Sequence, residues 1–358
     1  MNEVNVKEMA RRACGYVTRR EFLSRSLRIG AAVTVGPTLL AACGGAASQT
    51  GQSKTMRKIR FSHGTGLCNM PLFYSVEKKL FEKYGIDGST VLTTLSGDST
   101  TQLATGKVEM AVLPFTNAIA AYTQGASFSV VGGSGIQGLV VVAHPGIESF
   151  EDLRGKKIGT FQADTLDIVV YDYLKNKGLT YNDVEMVYFG DGTELLNAFV
   201  AGRLDVISSV EPNATKAQML TNGNILGDGV DIYGKGYPDC VIVARKEIME
   251  KEPQIVKDVI RTFFEAEFQI ENDFPEAART TIDKYYKTDM DNLLRAAKRQ
   301  PPGIDIRNQR DFMYSRAQSM RELNYINKDL DQDFVNFTLL EEVIKESPEL
   351  WNRVKVKS

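Results

Sequence analysis

Several stretches carry residue types that do chemistry, and each sets a spacing that can be checked. Gly97-Asp98-Ser99-Thr100 echoes the nucleophile block of one esterase class. A serine nucleophile needs a base within reach and a third group to orient that base. The chain has two histidines, His63 and His144. His63 can approach Ser99, but no acid or oxyanion donor can be placed with them, so hydrolysis is not the reading. Gly133–Gly138, GSGIQG, spells a dinucleotide fingerprint. That motif must open a helix, whereas the following LVVVAH reads as a strand, so the glycines are expected in a tight turn. Cys14, Cys43, Cys68 and Cys240 are scattered with no C-x-x-C, which gives no metal site. Cys68 and Cys240 are expected as two free buried thiols, with a bridge as the alternative in an oxidising compartment.

The elements that must position these residues follow from an internal repeat. KIRFSH (58–63) parallels KIGTFQ (157–162), KYGI (83–86) parallels NKGL (176–179), and ATGKVEMAV (104–112) parallels VAGRLDVIS (200–208), at offsets of 99, 93 and 96. Three pairs in one order indicate two lobes built to one plan. Each unit reads as strand, helix, strand, helix, strand. Leu72, Phe73, Val76, Leu80, Phe81 and Tyr84 mark the first helix, with Gly85 as its stop. Alternating strands and helices predict an α/β fold of two doubly wound lobes with parallel sheets. The chain is expected to leave lobe one near His144-Pro145 and return through a strand at Val241–Ala244, which makes a two-crossing hinge. The boundaries are a leader over 1–42, a tether over 43–55, lobe one over 56–144 plus 240–358, and lobe two over 145–239. Ile255, Val259, Phe263 and Phe264 form an apolar helical stripe expected to pack on lobe one.

In such sheets ligands bind beyond the carboxyl ends of the strands. Those ends nominate His63, Asn69, Ser96, Asp98, Ser99, Thr116 and Asn117 in lobe one. In lobe two they nominate Gln162, Asp164, Thr165, Asp191, Thr193 and Glu211. Individually, Ser, Thr and Asp at these positions are helix caps; jointly, facing one another across a cleft, they make a ligand site. Phe115, Phe161, Phe189 and Tyr122 are available as stacking walls. No arginine falls on these loops. A Glu211 carboxylate turned inward suits an amine or heterocycle N–H; turned outward, it leaves an anion-ready cleft. Both ligand classes, a small oxyanion and a polar heterocycle or aromatic, stay open.

The formal net charge is −2 over 358 residues. Leaving out the seven Lys/Arg and three Asp/Glu before Cys43 gives 36 basic against 42 acidic residues, which excludes a nucleic-acid partner. The basic start has its own explanation. Thr18-Arg19-Arg20-Glu21-Phe22-Leu23 resembles the twin-arginine export motif, and Leu40-Ala41-Ala42-Cys43 after a small apolar run resembles a bacterial lipobox. That resemblance implies cleavage before Cys43, a lipid on its sulfur, and a folded body tethered to a membrane by the polar run 44–55.

IRFSHGTGLCNMPLFYSVEKKLFEKYGI, TTQLATGKVEMAV, ESFEDLRGKKIGT and AFVAGRLDVISSVEP resemble the extracytoplasmic solute-binding proteins of ABC importers, in the branch for taurine, aliphatic sulfonates, nitrate and thiamine-type pyrimidines. The resemblance runs from about Ile59 to Asn272. It implies a periplasmic-binding-protein type II clamshell, a small-molecule solute between the lobes, a permease and ATPase as partners, and a monomer with no cofactor and no catalysis. Thiamine-pyrimidine synthases resemble the same family, but they carry a cysteine-rich run and a lysine for pyridoxal phosphate; here the cysteines are scattered and no lysine stands beside His63. An extracytoplasmic sensor with the same clamshell is the non-transport alternative.

Overall fold

In this computed structural model, residues 55–91, 93 and 97–355 are described. Arg19, Arg20, Cys43 and Ser96 lie outside the described residues. Short aliphatic and β-branched runs form two five-stranded sheets. The first takes β1 (Arg57–His63), β2 (Ile86–Val91), β3 (Met110–Pro114), β4 (Phe128–Ile136) and, from far along the chain, β10 (Pro238–Arg245), in the order β2-β1-β3-β10-β4. The second takes β5 (Leu139–Ala143), β6 (Lys157–Thr160), β7 (Glu185–Tyr188), β8 (Val206–Val210) and β9 (Asn224–Gly227), in the order β7-β6-β8-β5-β9.

The two orders superimpose strand for strand, so the sequence repeat is a structural one. β1 lies parallel to β2 and β3, and β6 parallel to β7 and β8. Each sheet departs from the expected all-parallel pattern at one place. β10 is antiparallel to β3 and β4, and β5 is antiparallel to β8 and β9. Both are the strands by which the chain changes sheets. Their runs, PDCVIVA and LVVVA, are fully buried, as strands covered on both faces must be.

The first crossing therefore falls earlier than expected. β5 already pairs with β8, so the chain changes sheets at Gln137-Gly138 and not at His144-Pro145. Both turn residues are left-handed, at φ 62° and 82°. The second crossing lies alongside: Gln137 donates its backbone N–H to the Tyr237 carbonyl at 2.8 Å, and Gly236 donates to the Gln137 side chain at 3.0 Å. The apolar run LVVVA fits either sheet by pattern, which is why the sequence reading placed it in lobe one. The glycines of GSGIQG are likewise not a turn as a set. Gly133 and Gly135 lie inside β4, where an added Cβ would fall 2.3 Å from the Gly303 carbonyl oxygen and 2.5 Å from Cys68 Cα. They permit backbones to touch.

The helices used below are α1 (Met70–Glu77), α2 (Asp98–Ala104), α3 (Phe115–Thr123), α4 (Thr165–Asn176), α5 (Gly192–Val200), α6 (Asn213–Thr221), α7 (Pro253–Asn272), α8 (Met290–Ala296) and α9 (Arg310–Glu322). The first predicted helix is shorter than its apolar spacing. Lys79 at φ 54° interrupts it, a 3₁₀ turn covers Leu80–Tyr84, and Gly85 at φ 71° ends the segment. α7 buries Val256, Val259, Ile260, Phe263 and Phe264 and packs on α1, so the long C-terminal stripe covers lobe one as expected. α9 reaches the other lobe as well: Arg316 pairs with Asp172 of α4 and stacks over Tyr233.

Cys68 and Cys240 are joined as a disulfide, with Cα atoms 5.8 Å apart, in place of the two free thiols expected. The close approach of Gly135 to Cys68 seats the first loop against the start of β10, which brings the two sulfurs together. The bridge ties positions 172 residues apart. Replacing both cysteines by alanine should lower the unfolding free energy by about 2–4 kcal/mol. Denaturant melts under non-reducing conditions check this; an unchanged midpoint would show that the bridge contributes nothing.

Candidate ligand-binding cleft

The carboxyl ends of β1, β3, β6 and β8 face a shared cavity of about 100 Å³ between the sheets. Lobe one lines it with the loop Gly64–Gly66, Cys68, Asn69, Thr93, Gly97, Ser99, Thr100, Pro114 and Asn117. Lobe two adds Phe161, Asp164, Leu166, Gly190–Gly192 and Val210, and Asp239 and Cys240 close the floor at the start of β10.

Five of the nominated residues meet there: Asn69, Ser99, Asn117, Asp164 and Asp191. Each stands at or beside the start of a helix. Ser99 donates to the His63 carbonyl at 2.9 Å, which ties α2 to the end of β1. Asn117, in the first turn of α3, donates across the cleft to Asp164 Oδ2 at 3.2 Å. Asp164 caps α4 by accepting from Leu166 N, and Asp191 caps α5 by accepting from Thr193 N and Glu194 N. The facing helices α2 and α3 start with no side-chain cap.

Asn69 is almost fully buried. Its Nδ2 donates to the Gly66 carbonyl at 3.2 Å and lies 3.4 Å from Cys68 Sγ, while its Oδ1 meets no donor. Turning the amide over would set oxygen against the Gly66 carbonyl, so the unpartnered atom is the acceptor.

The remaining nominees sit elsewhere. His63 turns into lobe one, where Nδ1 meets the Gly64 carbonyl at 2.7 Å and the ring stands edge-on to Phe73 at 4.7 Å. Burial lowers its pKa, so it is a neutral packed histidine away from the cavity lining. Asp98, at the start of α2, and the buried Thr116 do not line the cavity. Gln162 and Thr193 point to solvent. Thr165 lies just behind the wall, bridging two carboxyl groups. Glu211 is turned away: its carboxylate accepts from Thr215 N at 2.9 Å and Thr215 Oγ1 at 2.8 Å and faces Arg299 at 3.5 Å. A residue two places before a helix is well set to cap it, and the Thr215 amide and hydroxyl of α6 take Glu211 before any ligand can.

Sequence reasoning missed Asp239, which lies inside an otherwise apolar strand. A carboxyl group in the fully buried run PDCVIVA was the available signal. Asp239 accepts from Gln300 Nε2 at 2.7 Å and contacts Thr165 Oγ1 at 3.0 Å. Burial pushes its pKa up to about 8, and the neighbouring Asp164 adds to the rise. Burial likewise pushes Asp164 up to about 6, against hydrogen bonds from Leu166, Thr165 and Asn117. Cys68, Asp239 and Cys240 cluster tightly enough for a metal ion, but the two sulfurs are bonded to each other and offer no thiolates.

Two mirrored α/β lobes, two crossings and a cavity between strand ends define the type II periplasmic-binding-protein class. Residues 69–267, more than half of the chain, match the family model described as NMT1/THI5 like, and the chain belongs to that family. A Brucella abortus protein that is a binding protein by name is 28% identical over 62% of this chain and 69% of its own. The 4-amino-5-hydroxymethyl-2-methylpyrimidine phosphate synthase of Schizosaccharomyces pombe is 23% identical over 63% of this chain and 68% of its own. The periplasmic aliphatic sulphonate binding protein SsuA from Escherichia coli shares the fold at a TM-score of 0.67 and 18% identity, over 78% of this chain and 92% of that one.

Glu211→Gln should leave solute affinity unchanged and lower stability by about 1–3 kcal/mol, because an amide cannot accept at both oxygens. Isothermal titration beside thermal melts separates the two effects; a large loss of affinity would return Glu211 to the cleft. The carboxyl pair sets a second expectation. Its folded pKa values stand above the unfolded ones, so its stabilising contribution is complete below about pH 4 and is lost as pH rises through 6 and then 8. Asp239→Asn should flatten the fall in melting temperature between pH 6 and 8, and a parent-like slope in the variant would place the titration elsewhere.

Proposed function

We propose that this chain is the solute-binding component of an ABC-type importer, which captures a small molecule between its lobes and delivers it to a membrane permease driven by an ATPase. The observation that carries this reading is the cavity itself: loops from both sheets converge on it, and hydrogen bonds such as Asn117 to Asp164 cross it. A solute touching both walls would favour the closed arrangement of the lobes by its differential affinity. The family and the fold are consistent with this role. An export leader at Arg19-Arg20 and a lipid on Cys43 would place the body, as a monomer, beside the permease outside the cytoplasm.

The relative named as a synthase keeps an enzymatic reading in view. Among the described residues that line the cavity there is no lysine to bind an aldehyde cofactor and no histidine to react, which favours capture over turnover. A sensor using the same clamshell would bind identically and differ only in its partner.

Small molecules released by denaturing the purified chain should match, mass for mass, those with which it was loaded. Thermal unfolding should also rise, by about 2.7 kcal/mol of added stability at 100-fold excess over the dissociation constant. A chemically altered product released in place of the loaded molecule overturns the binding role in favour of catalysis.

A further inference from the structure

The charge of the cavity wall is one-sided. Asp164, Asp191 and Asp239 line it, and no lysine, arginine or histidine does so among the described residues. Asp164 comes from lobe two and Asp239 from the first sheet, and both are more than nine-tenths buried. They meet over one hydroxyl: Thr165 Oγ1 is 3.1 Å from Asp164 Oδ1 and 3.0 Å from Asp239 Oδ1. A threonine hydroxyl has a single proton to donate. It satisfies one carboxylate, and the second contact requires a proton on the other. Two like charges at this separation in a buried site cannot both stand uncompensated. The acceptor Oδ1 of Asn69, buried and without a donor, adds to the shortage.

We propose that the cleft takes a solute bearing a protonated nitrogen, whose N–H groups engage Asp164 and Asp239 and displace the proton these two carboxyl groups share. This rests on the solute-binding reading above and names its ligand class. The exchange balances: the cationic solute enters, the carboxyl O–H bond breaks, and one proton leaves to solvent, so the charge buried in the cleft is unchanged. A second N–H of the solute can reach Asn69 Oδ1.

The groups facing the pair supply no competing cation. Asp167 lies on α4, one turn beyond Asp164, and takes the Tyr181 hydroxyl at 2.5 Å. Asp191 opens α5, Asn117 faces from α3, and Gln300 follows α8. Tyr237 precedes β10 and gives its hydroxyl to the Asp228 carbonyl at 2.6 Å. All are neutral or anionic at neutral pH. Burial raises both carboxyl pKa values, Asp239 to about 8, so the exchangeable proton is present there. An oxyanion would meet the same three carboxyl groups, with the uncapped starts of α2 and α3 to receive it.

Isothermal titration of the full chain with benzamidine, 4-aminopyridine and ethanolamine, in buffers of different ionisation enthalpy, tests this. Ethanesulfonate, nitrate and thymine serve as anionic and neutral probes. The expected result is binding of a cationic probe with release of about one proton, and an affinity rising up to about tenfold per pH unit between pH 6 and 8. Asp239→Asn should abolish the proton release and weaken binding at least about tenfold, with a thermal melt confirming that it folds; Asp164→Asn provides the second variant. Cation binding without proton release overturns the exchange. Binding of ethanesulfonate, nitrate or thymine but no cation overturns the ligand class and leaves the solute-binding reading standing. Failure of every probe to bind overturns the ligand class, and the solute-binding reading falls with it if denaturation also releases no molecule from the chain.

Discussion

Strand exchange at the crossings is the constraint on which the structure depends. The first half of the repeat does not close its own sheet: β10 completes it after lobe two is made, whereas β5 enters the second sheet directly from β4. This places Gln137 and Tyr237 side by side, with the hydrogen bond between them joining the two connections. It also sets Asp239 at the one point where a first-sheet strand begins beside the second lobe. The polar floor of the cavity is thus a by-product of how the chain crosses, and Cys240, the next residue, is bonded there to Cys68.

The electrostatics follow from that placement. The helix-capping role of Asp164 and Asp191 fixes two carboxyl groups at the cavity rim on lobe two, and the crossing strand brings a third from below. Glu211 stands at the comparable end of β8 but is spent on Thr215 and Arg299. Side chains of one type at strand ends therefore divide between scaffold and site by which backbone amides lie closest.

Much of the architecture was legible because the repeat preserves local patterns: strand, helix and glycine stop recur in both halves, and both sheets share one strand order. The first crossing was not legible, because LVVVA carries no mark of which sheet will hydrogen-bond to it. The disulfide was not either, since Cys68 and Cys240 meet only after both crossings are made. In the site, Asn117 and Asp164 could be found from strand-end position. His63 shared that position, but its ring is drawn into the apolar contact with Phe73. Asp239 was hidden by the apolar residues around it, and only its burial gives it meaning.

The late arrival of β10 also orders assembly. The second sheet is contiguous, running from Leu139 to Gly227, whereas the first needs residues 57–136 together with 238–245. During vectorial synthesis the lobe that emerges first therefore waits, with a gap between β3 and β4, for the lobe that emerges second. Among the described strands, β3 and β10 are the hydrogen-bonded pair farthest apart in sequence, and β10 is the strand that carries Asp239. The cavity floor at Asp239 and Cys240 is therefore in place only once the chain has returned from lobe two.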